Sequence, residues 1–74
     1  MRLSECPVRV PIRLTEIPMP RHNLLRLYEL GLRVGTEMQV TQRAGFGGLV
    51  LNIAGSRIAV DHKSAKTIQA EIIV

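Results

Sequence analysis

The patterned part of the chain opens with strict alternation. Val8, Val10, Ile12 and Leu14 take one parity, and Arg9, Pro11, Arg13 and Thr15 take the other. A period of two marks a half-buried strand. Pro11 cannot donate to a ladder, so this strand is expected to be interrupted there or to lie at an edge. Pro18 and Pro20 end the extended stretch, and the period then changes. Leu24, Leu25, Leu27, Tyr28 and Leu30 form a broad apolar arc at helical spacing, with His22, Arg26 and Glu29 opposite. The spacing predicts a helix over 20–30 whose apolar arc belongs to the core. Pro20 suits the first helical position, where a missing N–H costs nothing. Gly31 is expected to close the helix in a left-handed conformation, with Leu32 as the apolar contact that accompanies such a cap.

Beyond the helix, Gly35 turns the chain into a second strand. In it Met38 and Val40 face one way, and Glu37, Gln39 and Thr41 the other. The stretch from Ala44 to Gly48 holds three glycines in five residues and reads as a flexible hairpin loop. Leu49, Leu51 and Ile53 line one face of a third strand. Gly55-Ser56 reads as a two-residue hairpin turn leading into a fourth strand over 57–60. Asp61 or Ser64 can cap a short helical turn near 63–67. A last strand spans 70–74. The order is strand, helix, three-strand meander, helical turn, strand. Five short strands bury a common apolar face most readily by curling on themselves. The predicted fold is mainly β: a small, partly open barrel with one inserted helix and a short C-terminal helical turn, as a single domain over 1–74.

Composition narrows the function classes. A chain of 74 residues with 46% hydrophobic content supports one small core and little else. No apolar run approaches the length of a membrane span, and the first residues do not read as a secretory signal. The expected location is therefore the cytoplasm. A single cysteine, Cys6, excludes a disulfide framework and fits a reducing compartment. Ten Lys or Arg against six Asp or Glu give a net charge of +4. The basic side chains are scattered and the aromatic ones are Tyr28 and Phe46 alone, which argues against a nucleic-acid surface. A small basic nucleic-acid-binding barrel is kept as an alternative reading.

No constellation of catalytic residues is present. There is no nucleophile elbow, no phosphate-cradling Gly–Lys loop and no dinucleotide fingerprint. The expected class is non-enzymatic. For metal, Asp61 and His62 are the most suggestive pair. Adjacent residues make an incomplete site, because a closed site usually wants four ligands. No cofactor is required on this reading. A weak site for a divalent transition metal, iron or zinc, stays open, as does one completed by a second molecule, for which a homo-oligomer is one route. Leu32 and Phe46 lie beside glycines in connections, where each can point outward or fold in. Exposed together, and flanked by Arg33 and Arg43, they would form an apolar docking patch with aromatic and Arg anchors.

The run from Leu27 through Gly31-Leu32 and Gly35 to Val40 resembles the signature stretch of the FeoA family. That pattern is a helix ending in Leu-Gly-Leu, two residues, Gly, a small polar residue and an alternating strand. The Arg-Ala loop around Gly47, the Gly turn at Gly55 and Ile58-Ala59-Val60 before a polar helical turn are similar as well. The loop after Ala44 lacks the prolines and the aspartate common in that family. The resemblance implies an SH3-like small barrel and a role as an accessory protein of bacterial ferrous iron uptake. It implies as partner a membrane transporter of the FeoB type, through its cytoplasmic GTP-binding domain. The chain itself would not insert stably in the membrane and could be recruited to its inner face. The same fold serves as a regulatory domain of metal-dependent repressors, so a metal-responsive regulatory domain is the alternative that the resemblance implies.

Overall fold

The alternating segments do form the sheet. In the computed structural model, which describes residues 1–45 and 47–73, the strands are β1 (Ile12–Glu16), β2 (Glu37–Arg43), β3 (Leu49–Ile53), β4 (Ser56–Val60) and β5 (Gln69–Ile72). They make one five-stranded sheet in the order β4-β3-β2-β1-β5, with every neighbouring pair antiparallel. The sheet curls but does not close, so β4 and β5 are its two margins. Helix α1 (Arg21–Glu29) connects β1 to β2, and helix α2 (His62–Thr67) connects β4 to β5. Ile12, Leu14, Met38, Val40, Leu49 and Leu51 carry the inward parity and are buried. Among the described residues no polar or charged side chain is buried with them. None of the described helices is long and apolar enough to cross a membrane.

The first strand is shorter than its alternation. Arg9 takes a positive φ of 62° and its N–H donates to the Val40 carbonyl at 2.8 Å. That bend throws Val8 to the surface, where it makes an isolated parallel bridge to Val40. Pro11 therefore marks an interruption, because β1 itself lies inside the sheet between β2 and β5.

Helix α1 starts one residue later than expected. Pro20 is its N-cap, and its carbonyl accepts the N–H groups of Asn23 and Leu24. At the other end the Gly31 N–H reaches the Tyr28 carbonyl at 3.0 Å and the Leu32 N–H reaches the Leu27 carbonyl at 2.9 Å. This paired closure needs a left-handed residue, and Gly31 supplies it at φ 97°. Leu32 follows into the core and is fully buried.

The expectation that the arc of α1 belongs to the core is met only in part. No residue of α1 is buried. Leu24 and Leu27 rest half-buried against the core, while Leu25, Tyr28 and Leu30 are exposed. The reason is geometric. A helix lying on one surface buries a narrow seam, and an arc this broad has its outer half left over unless a second layer covers it.

Three further details correct the expected boundaries. The hairpin turn is Ala54-Gly55, not Gly55-Ser56. Both residues take positive φ, 51° and 89°, as a two-residue turn of matching twist requires, and the Asn52 side chain accepts the Gly55 N–H at 3.1 Å. Of the two candidate caps for α2, Asp61 is the one used, accepting the Ser64 N–H at 3.0 Å. The last strand spans 69–72, and Val74, which the alternation assigned to it, lies outside the described residues.

Residues 1–6 carry no periodic signal, yet they are part of the fold. A single 3₁₀ turn at Leu3–Glu5 packs Leu3 and Cys6 into the core. The Leu3 N–H donates to the Ile68 carbonyl and the Ala70 N–H to the Met1 carbonyl, each at 2.8 Å. Arg43, at the end of β2, donates from its guanidinium to the carbonyls of Ser4 and Cys6.

Candidate functional site

Among the described residues, four exposed large apolar side chains belong to α1 and the turn after it: Leu25 and Tyr28 on its outer side, Leu30 on the side of the groove between α1 and β4, and Val34 beyond the helix. Leu25 is 53% exposed, Leu30 47%, and Val34, just past the helix, 59%. Tyr28 lies among them, and the Arg33 guanidinium sits over its ring, 5.6 Å from the centroid. That contact orders an aromatic ring and a cation on the same surface without removing either from solvent.

Beneath this face runs an open groove of about 510 Å³ between α1 and the end of β4. Met19, Leu27 and Leu30 form one wall, and Ala59 and Val60 the other. Asn23, Arg26, Asp61 and Ser64 supply polar groups at its rim. The Asp61 carboxyl is held below the usual carboxylate range, first by the Ser64 side chain and then by the Ser64 N–H. It is therefore ionised and occupied with the first turn of α2.

The residues singled out from the sequence do not assemble into one patch. Leu32 takes the inward alternative and offers no side chain to a partner. Phe46 lies outside the described residues. Arg33 is exposed and belongs to the α1 face through Tyr28. Arg43 is committed to the N-terminal turn. Gly31, Gly35 and Gly55 all take positive φ, at 97°, 91° and 89°. His62 donates from Nδ1 to the Gly47 carbonyl at 2.9 Å and so ties the 44–48 loop to α2. Among the described residues no three His, Cys, Asp or Glu side chains gather as metal ligands. The Cys6 thiol is buried, and that burial raises its pKa, which is the opposite of a reactive thiolate.

Sequence reasoning did not find the groove. Its walls come from 19–30 and 59–64, which no local window joins. The only available signal was the width of the apolar arc on α1, wider than one contact surface can cover.

The family model of the FeoA domain matches residues 1–72. Among solved structures, the chain is similar to the FeoA protein from Chlorobium tepidum at 25% identity and a TM-score of 0.88, covering 100% of this chain and 71% of that one. It is similar to iron(II) transport protein A from Clostridium thermocellum at 26% identity and a TM-score of 0.89, covering 99% of this chain and 46% of that one. It also shares its fold with ScaR, solved with bound Zn2+, at 23% identity and a TM-score of 0.85, covering 99% of this chain and 37% of that one. None of the curated proteins matches it.

Proposed function

We propose, since the chain belongs to the FeoA family, that it is a non-enzymatic accessory protein which docks on a membrane transporter of the FeoB type through the outer face of α1. Family membership ties the chain to ferrous iron transport. The docking reading is carried by one observation: a helix with no buried residue that keeps Leu25, Tyr28 and Leu30 at the surface. Leu25 and Tyr28, three residues apart, share one helix face, and with the Arg33 guanidinium over the tyrosine ring they have the composition of a binding hot spot. The non-enzymatic reading rests on how the reactive groups are used. Asp61 caps a helix, His62 ties a loop and Cys6 is sealed in the core. On this reading the protein works in the cytoplasm, and its partner brings it to the inner face of the membrane.

The test is an amide NMR spectrum of the labelled protein titrated with the cytoplasmic GTP-binding domain of the transporter. Shifts are expected to cluster on Leu25, Tyr28, Leu30 and Val34. Tyr28→Ala is expected to weaken binding by about 1–3 kcal/mol with the amide spectrum still dispersed. No shift at roughly millimolar partner would overturn the docking reading.

A further inference from the structure

Strand β4 is the last strand on its side of the sheet. Its register with β3 runs from Ile53↔Ser56 to Leu49↔Val60 without a bulge. Ile53 and Ser56 flank the two-residue turn, so they are a hydrogen-bonded pair, and the alternation makes Leu51–Ile58 and Leu49–Val60 the next ones. Arg57 and Ala59 are left with N–H and C=O groups directed away from β3. Those four groups have no partner among the described residues.

The opposite margin of the sheet is treated differently. The edge of β5 is covered by residues 1–3, through the Arg2↔Gln69 bridge and the hydrogen bonds to Ile68 and Ala70. Edge strands are commonly guarded by proline, a bulge or a covering segment. The free edge of β4 has none of these, and one of its two outward residues is the small Ala59. The groove under α1 opens along that edge, because Ala59 and Val60 form its wall.

We propose that an extended segment of the docking partner adds to the free edge of β4 as a further strand, with an apolar side chain in the groove and a carboxylate against Arg26. The inference rests on the docking reading and names the chemistry of the segment that docks. Backbone pairing with Arg57 and Ala59 requires an extended occupant. The wall of Met19, Leu27, Leu30 and Val60 selects an apolar side chain, and a groove of about 510 Å³ has room for a large one. Charge selects an acidic strand. Arg26 at the rim and Arg57 on the solvent face of β4 make no ion pair among the described residues, where the one pair is Arg13–Glu71. Asp61 shares its charge with the Ser64 N–H. The same charges disfavour a second copy of the chain as occupant. Two β4 strands paired side by side would bring two Arg57 side chains close, on molecules each carrying +4.

The experiment follows amide shifts and hydrogen exchange of the labelled protein with two probes. One is the GTP-binding domain of the transporter, and the other is a short blocked peptide alternating valine with glutamate. Two variants accompany them. Ala59→Pro removes an outward N–H that β3 does not use, and Arg26→Glu reverses the rim charge. The expected result is that the domain protects the Arg57 and Ala59 amides from exchange, and that each variant binds about tenfold more weakly with its spectrum still dispersed. If Ala59→Pro does not fold, Arg26→Glu and the protection of the Ala59 amide decide alone. Binding that leaves the Ala59 amide unprotected and both variants unaffected overturns strand addition while the docking reading stands. If the domain does not bind, the docking reading fails and the peptide decides. Protection of Ala59 by the peptide then keeps the edge site, and no protection overturns it.

Discussion

The Asp61 carboxylate lies 3.0 Å from the Ser64 N–H at the start of α2, and its pKa is lowered first by the Ser64 side chain and then by that N–H. A carboxyl whose folded pKa is depressed stabilises the fold above its unfolded value, about 3.9, and loses that contribution as the pH falls through the folded value. Asp61→Asn keeps an oxygen that can cap but removes the charge. The variant is therefore expected to melt slightly below the natural protein at neutral pH, with the gap closing as the solution becomes more acidic than about pH 4. Thermal midpoints of the two proteins across the acid range check this. A gap that is constant with pH would mean that the ionised form is not what holds the cap.

At the scale of elements, the attachment of the N-terminal turn depends on β2. The Arg43 guanidinium reaches the carbonyls of Ser4 and Cys6 with two different nitrogens. Arg43→Ala leaves both carbonyls without that donor and is expected to destabilise the fold by about 1–3 kcal/mol. Arg43→Lys is expected to recover little, because an ammonium group lacks the planar fork that spans two acceptors. Urea unfolding of the three proteins gives the comparison, and a stable Arg43→Ala variant would show that the turn is held by Leu3 and Cys6 alone. The same elements show what the sequence made legible. The strands over 37–43 and 49–53 were readable because each buries one face, so their alternation is complete. Gly31 was readable as a cap because the helical period stops there. The hairpin at Ala54-Gly55 was displaced by one residue, since alanine at positive φ carries no composition signal and Asn52 fixes the turn from outside it. The burial of Leu3 and Cys6 was not legible, because it depends on Ile68 and Ala70 at the far end of the chain. The groove was hidden for the same reason, and the direction of Leu32 followed from the closure of α1 rather than from any pattern around it.

Over the whole molecule, the first residues and the last strand hold each other. β5 pairs with β1 from Ile12↔Ile72 to Glu16↔Gln69, and residues 1–3 pair along its other side. Ile68 and Ala70 are fully enclosed by this arrangement. A chain shortened to end at residue 67 is therefore expected to lose the fold as a whole, and a collapsed amide spectrum would show it. A truncated chain with native dispersion would mean that β1 to β4 suffice. The arrangement also bears on biosynthesis. Leu3, Cys6, Ile12 and Leu14 are made before β5, the strand that seals them. At roughly 5–20 residues per second the nascent chain carries this apolar segment uncovered for several seconds. During that interval the segment stays exposed, and the domain can complete its core only after translation has delivered β5.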